Sequence, residues 1–175
     1  VDFVINGIAC KPKNPFFISR STSRPKEIIV DNANTYEVQS YTLPHSSKCS
    51  DAEWEEYGGT NGYLESQGFY LYRNNRLIVP GSWFGLASKK ESTKLCRISI
   101  DINQGADFDW KIDIKKSSAT PPPGIRARLK NLINNLTSTS RQAQLHRTRS
   151  LSNADVVSLW KRVVKGGNVE YSIDL

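Results

Sequence analysis

The residues with the clearest potential for chemistry are two adjacent lysines, Lys115 and Lys116, in the stretch DFDWKIDIKKSSATPPPG at 107–124. Apolar and polar side chains alternate before them, which predicts a strand whose inward residues are Phe108, Trp110, Ile112 and Ile114. The prolines from Pro121 onward prevent that strand from continuing. Charges on a loop held by a rigid scaffold are suited to ligand contacts, whereas lysine and proline also protect sheet edges from aggregation. The stretch alone leaves both interpretations open.

Positive charge is concentrated in the last third of the chain. The net charge is +7, and the stretch from Lys111 to Lys165 holds twelve Lys or Arg against two Asp, a net of +10. Such a stripe attracts the phosphates of nucleic acid, nucleotide or lipid. The alternative is a helix whose solvent face is simply basic. The candidate nucleic-acid contacts are Arg126, Arg128, Lys130, Arg141, Arg147 and Arg149.

Other kinds of site find little support in the sequence. The three cysteines and two histidines have no metal-ligand spacing, so we expect no metal site and no disulfide framework. No Gly-rich phosphate loop or nucleophile elbow is present, which argues against a stand-alone enzyme. No apolar run approaches the roughly 20 residues of a membrane span, and the first residues, VDFVINGIACKPKNPFF, have no basic region followed by a long apolar stretch. We therefore expect a cytoplasmic protein without a membrane partner.

The elements that must position these residues are mostly strands. The run EIIV, a turn and then YEVQSYTLP predict one hairpin. A second hairpin is predicted in GFYLYRNNRLIVPG, because Asn74 and Asn75 tolerate the positive φ of a tight turn. The segment KLCRISIDI predicts a half-buried strand with Cys96 and the isoleucines on its inner face and Arg97 on its outer face. We expect this strand to pair with the one that leads to the lysines.

Helical periodicity begins at Pro123. The spacing of three and four between apolar residues predicts an amphipathic helix with a stripe of Ile125, Leu129, Leu132, Ile133 and Leu136. Segregated strands and helices indicate an α+β fold with a mostly antiparallel sheet and packed helices. We divide the chain into an α+β domain at 1–136, a flexible basic connector at 137–154, and a helix and strand at 155–175 that could begin a following domain. The absence of an initial methionine and the final strand-like NVEYSIDL suggest a piece of a longer polypeptide.

Several segments together resemble the region that follows the ATP-binding domain in bacterial MORC-like and heat-shock-chaperone-like members of the GHKL ATPase superfamily. They are QGFYLYRNNRLIVPGSW, LCRISIDI, DWKIDIKKSSATPPPGIRARL and LWKR with GGNVEYSIDL. MutL is more distantly similar, through its own turn-containing hairpin and a strand that ends near a functional lysine. The resemblance covers the whole chain and is strongest from Gln67 to Leu129.

The resemblance implies a transducer domain with the fold of ribosomal small-subunit protein five, domain 2. In that family a preceding domain of the same polypeptide binds ATP and magnesium, and one transducer lysine contacts the γ-phosphate. By position that lysine is Lys116 or Lys115. The chain would then couple ATP state to domain movement without being catalytic by itself. DNA and a second copy of the chain remain candidate partners, and a nucleic-acid-binding module without ATPase coupling is the alternative.

Overall fold

The computed structural model describes residues 3–10, 14–31, 34–112, 118–152, 160–165 and 168–173. The chain divides into two units, Val1–Ser140 and Arg141–Leu175. The first unit holds the main sheet and most of a long helix, and the second holds the helix end and a separate hairpin.

A six-stranded sheet forms the centre of the first unit. Its strands run along the chain as β3 (Thr22–Ser23), β4 (Glu27–Asp31), β5 (Asn34–Thr42), β6 (Gly68–Arg73), β7 (Arg76–Ser82) and β8 (Cys96–Ile102). Their order in space is β3-β5-β8-β6-β7, with β4 also paired to β5. Every pairing is antiparallel except that of β6 with β8. A separate two-stranded ribbon joins β1 (Phe3–Ile5) to β2 (Ile8–Cys10). The α+β class with a mostly antiparallel sheet is therefore confirmed.

Both predicted hairpins are present. Strands β4 and β5 pair from Glu27 opposite Val38 to Asp31 opposite Asn34. Strands β6 and β7 are joined by Asn74 and Asn75, whose φ angles are 49° and 64°. Positive φ at both central positions is the geometry that matches the twist of a two-residue hairpin, and asparagine tolerates it.

The predicted amphipathic helix is α3, Pro123–Ser152. Its apolar stripe is buried against one face of the sheet, in one cluster with Ile98 and Ile100 of β8; the stripe consists of Ile125, Leu129, Leu132, Ile133 and Leu136. Burying an aliphatic side chain of this size contributes about 1.5–3 kcal/mol relative to leaving it exposed. The same helix continues through residues 137–152 of the segment expected to be a connector.

The opposite face of the sheet carries an aromatic cluster and two short helices, α1 (Asp51–Gly58) and α2 (Gly62–Glu65). Ser50 begins α1 with a capping box to Glu53.

Arg97 was predicted to lie on an outer face but is only 1% exposed. Its guanidinium donates from Nη1 to the main-chain oxygen of Pro15 and from Nη2 to that of Tyr57, whereas Nε has no hydrogen-bond partner in the described part of the chain. This end of β8 is therefore buried on both faces, because the segment around Pro15 and helix α1 cover it.

The strand predicted over 108–114 is wrong for the described residues 108–112. Main-chain bonds from Trp110 to Ala106 and from Lys111 to Phe108 fold this stretch into a turn. Trp110 is fully buried as expected, but Phe108 is 91% exposed. An alternating pattern cannot distinguish a short strand from a turn that buries only some of the apolar side chains, here Ala106 and Trp110 but not Phe108.

In the second unit, the helix predicted before Gly166 is also wrong over Trp160–Lys165. These residues form β9, which pairs with β10 (Asn168–Ile173) in an antiparallel hairpin. Two adjacent valines, Val163 and Val164, favour extended backbone because β-branched side chains pack well in strands. The strand predicted at the C-terminal end is confirmed over the residues of β10.

Candidate functional site

A main-chain hydrogen bond joins two described residues that flank the lysine pair in the sequence. The backbone N–H of Thr120 donates to the carbonyl oxygen of Trp110 at 2.8 Å. The indole of Trp110 is fully buried and meets the rings of Tyr36 and Phe84 edge to face. Lys115 and Lys116 fall halfway between these two ends in the sequence, and both lie outside the described residues. We call this hydrogen bond between Thr120 and Trp110, together with the rings of Tyr36 and Phe84 that pack on Trp110, the loop base.

Two side-chain contacts hold the turn before the loop base. Asp107 forms an ion pair with Arg73 at the end of β6, with 2.5 Å between Oδ2 and Nη1. The carboxylate of Asp109 accepts a hydrogen bond of 2.6 Å from the side-chain amide of Asn34 at the start of β5. Because these contacts reach two different strands, they fix both the position and the orientation of the turn. Sequence reasoning missed them, since their partners lie 34 and 75 residues away.

The beginning of α3 holds the other side of the loop base. Pro121 and Pro122 are buried, and the Nε of Arg126 donates to the carbonyl oxygen of Pro121 at 3.0 Å. The carboxylate of Asp31 lies against Gly124, so closely that a Cβ on Gly124 would come within 2.3 Å of Oδ1. A negative charge at a helix N-terminus is stabilised by the helix dipole and by the free N–H groups there. A side chain at position 124 would therefore require the Asp31 carboxylate to move.

Three buried polar atoms beside the loop base make no hydrogen bond of normal geometry in the described part of the chain. They are the hydroxyl oxygen of Tyr36, the indole Nε1 of Trp110 and Oδ1 of Asp107, and the side chains of Tyr36 and Trp110 are fully buried. Burial raises the pKa of Tyr36, and the nearby Asp109 carboxylate raises it further. Tyr36 therefore stays protonated and can act only as a neutral hydroxyl at this position.

The candidate nucleic-acid contacts do not form one stripe on the described part of α3. Arg126, Arg128 and Lys130 are all exposed. Arg126 and Lys130 are four residues apart and share one side of the helix, whereas Arg128 is two residues from each and faces another side. Arg141, Arg147 and Arg149 lie in the helical backbone of α3, but their side chains are outside the described structure.

A cleft of about 430 Å³ lies elsewhere, between α1, α2 and the turn at 91–94. Trp54 and Tyr63 stack in its wall with 3.7 Å between ring centroids, and Glu91 and Lys94 form an ion pair at its edge. These residues belong to the aromatic side of the sheet, opposite α3. The cleft therefore shares no residue with the loop base.

The comparisons with known proteins identify no relative. No protein-family model, curated protein or solved structure matches the chain. Among the residues that the structure describes, no three His, Cys, Asp or Glu side chains are grouped so that they could hold a metal ion. No helix in the same residues has the length and apolar character needed to span a membrane.

Proposed function

We propose that this chain is the transducer module of a GHKL-type ATPase and that Lys116 or Lys115 contacts the γ-phosphate of ATP held by a preceding domain of the same polypeptide. The observation that carries this proposal is the closed loop base, in which the Thr120 N–H is bonded to the Trp110 carbonyl at 2.8 Å. This bond fixes the two ends between which the lysine segment lies. A lysine whose segment is fixed at both ends can reach a phosphate in one position of a partner domain and not in another.

An ammonium group is suited to this role. It is a compact charge on a flexible stem, and it interacts strongly with a terminal phosphate. That phosphate is present in ATP and absent from ADP, so the contact stabilises one arrangement of the two domains only while ATP is bound. Differential contact of this kind shifts the population between the arrangements. Hydrolysis then releases the lysine and frees the domain.

The same proposal includes the more specific fold that the resemblance implies. A mostly antiparallel sheet with the long helix α3 packed on one face agrees with the domain-2 fold of ribosomal small-subunit protein five. The ATP and magnesium site would belong mainly to the preceding domain, because this sequence contains no nucleotide-binding motif of its own. We therefore expect the chain alone neither to bind ATP tightly nor to hydrolyse it.

The test uses the full-length polypeptide that contains this chain. We expect Lys116→Ala, or the double change with Lys115→Ala, to lower the single-turnover rate of ATP hydrolysis by about 100-fold, as is typical when one charge-stabilising group is removed. Lys90→Ala is the matched control, because Lys90 is an exposed lysine outside α3 and outside the loop base. Unchanged turnover in both the single and the double variant would refute the switch role.

A second proposal rests on the exposed cations of α3, Arg126, Arg128 and Lys130. A nucleic-acid-binding module would use these charges, with Arg141, Arg147 and Arg149, to contact phosphates. Its affinity for duplex DNA would fall steeply with salt, because each phosphate contact releases counterions. Glutamine at the three exposed positions should flatten the salt dependence. If the chain does not bind duplex DNA at low salt, this alternative is refuted. The two proposals are compatible, because a chain that responds to ATP through its lysines can also hold DNA on its exposed surface.

A further inference from the structure

Phe108 is the most exposed large apolar side chain in the described part of the molecule. Its exposed fraction is 91%, whereas the next highest value among such residues is 72%, for Ile8. The exposed patch is a single aromatic ring at the tip of the turn that precedes the loop base. Aromatic residues are enriched at protein interfaces, where they often dominate the binding energy.

The turn holds Phe108 outward and leaves the ring no route into the core. On one side, Asp107 is paired with Arg73, and on the other, Asp109 is bonded to Asn34. Trp110 already fills the adjoining core position completely. A main-chain bond from Lys111 N–H to the Phe108 carbonyl closes the turn. The ring is therefore preorganised, and binding through it would lose little backbone entropy.

The charges beside Phe108 do not oppose its burial. The Asp107 carboxylate has an arginine partner, and the Asp109 carboxylate accepts a hydrogen bond. The second oxygen of Asp107, Oδ1, is already buried without a hydrogen-bond partner in the described part of the chain, so covering the ring would not remove a hydrated carboxylate oxygen from water there. An exposed aromatic ring between charged groups that already have partners is typical of the centre of an interface.

We propose that Phe108 is an anchor that inserts into an apolar pocket of the preceding nucleotide-binding domain and docks the loop base onto it. This inference rests on the proposed function for the identity of the partner. Lys115 follows Phe108 by seven residues, and an extended chain of that length spans at most about 25 Å. A domain whose nucleotide is reached by the lysine must therefore lie within reach of Phe108.

The test compares Phe108→Ser with Ile28→Ser in the full-length polypeptide. Ile28 is a matched control, because it is 60% exposed on β4 and makes no part of the loop base. Hydrogen exchange of residues 103–112 is measured with and without a non-hydrolysable ATP analogue. We expect the analogue to slow exchange at least tenfold in the unchanged protein and in Ile28→Ser, and to have little effect in Phe108→Ser. Phe108→Leu should keep most of the protection, since it retains an apolar side chain.

The outcomes separate this inference from the proposed function. Equal protection in Phe108→Ser and Ile28→Ser overturns the anchor, whatever the lysine variants do. Loss of protection in Phe108→Ser alone supports the anchor even if Lys116→Ala leaves ATP turnover unchanged, in which case only the switch role fails. A second copy of the chain is the other possible occupant. If sedimentation shows a dimer of this chain that Phe108→Ser dissociates, the partner has been misidentified and the inference is overturned.

Discussion

Replacing Trp110 tests whether the loop base is built as described. Trp110→Ala removes a fully buried indole that packs against Tyr36 and Phe84. We expect it to lower the free energy of unfolding by about 3–5 kcal/mol, the usual cost of deleting a large aromatic side chain from a core. Trp110→Phe is the informative partner variant, because it keeps a ring and removes the indole N–H.

The expected effect of Trp110→Phe is a balance of two terms. The smaller ring leaves a cavity of about 40 Å³, which at about 24 cal/mol per Å³ costs about 1 kcal/mol, besides a small loss of apolar transfer energy. Against this, Nε1 has no hydrogen-bond partner in the described part of the chain, and removing a buried unsatisfied donor returns about 1–3 kcal/mol. The net change should lie within about 1.5 kcal/mol of zero.

Urea unfolding followed by far-UV circular dichroism measures both variants, because this signal does not depend on the indole being replaced. The midpoint should shift with little change in slope if only stability has changed. A loss above about 3 kcal/mol for Trp110→Phe would refute the reasoning, since it would mean that the indole N–H is satisfied. Indistinguishable losses for Phe and Ala would refute it as well.

Two further predictions concern the sheet. Gly68→Ala should lower the free energy of unfolding by at least about 3 kcal/mol, because φ is +117° and the new Cβ would lie 2.8 Å from the carbonyl carbon of Ser82. Gly62→Ala is the control: its φ is +74° but the space around it is open, so it should cost only about 1–2 kcal/mol of backbone strain. Equal losses for the two variants in urea unfolding would contradict the clash at position 68. Asp101→Asn should stabilise the fold at pH 7, because burial and then the opposing Glu37 raise the pKa of Asp101, so that its ionised form disfavours folding. That advantage should shrink as pH falls through the raised pKa and vanish below about 3.9, the ordinary value for aspartate; a constant advantage at all pH values would contradict the cause.

Local patterns were sufficient for elements that a short stretch of chain determines. The apolar spacing after Pro123 predicted the buried stripe of α3, because a helix on a sheet buries residues at three and four positions apart. The pair Asn74 and Asn75 predicted the tight turn, because few residues other than glycine adopt positive φ. In both cases the physical cause lies within the segment itself.

Patterns failed where distant residues decide the structure. Phe108 was predicted to face inward, yet its turn is fixed by Arg73 and Asn34, which no local reading can associate with it. Arg97 alternates with isoleucines like an outward residue, but carbonyl groups from Pro15 and Tyr57 make burial possible. The lysine pair itself lies outside the described residues, so its role stays a prediction that rests on the resemblance.

The most direct test of the central claim is covalent labelling of the full-length polypeptide with an ATP analogue that acylates lysines near its γ-phosphate. Mass spectrometry of the digested protein locates the modified residues. The account predicts that Lys116 or Lys115 is labelled, that excess ATP prevents the labelling, and that Lys130 stays unmodified. Labelling confined to lysines of the preceding domain, with both Lys115 and Lys116 unmodified, would contradict it.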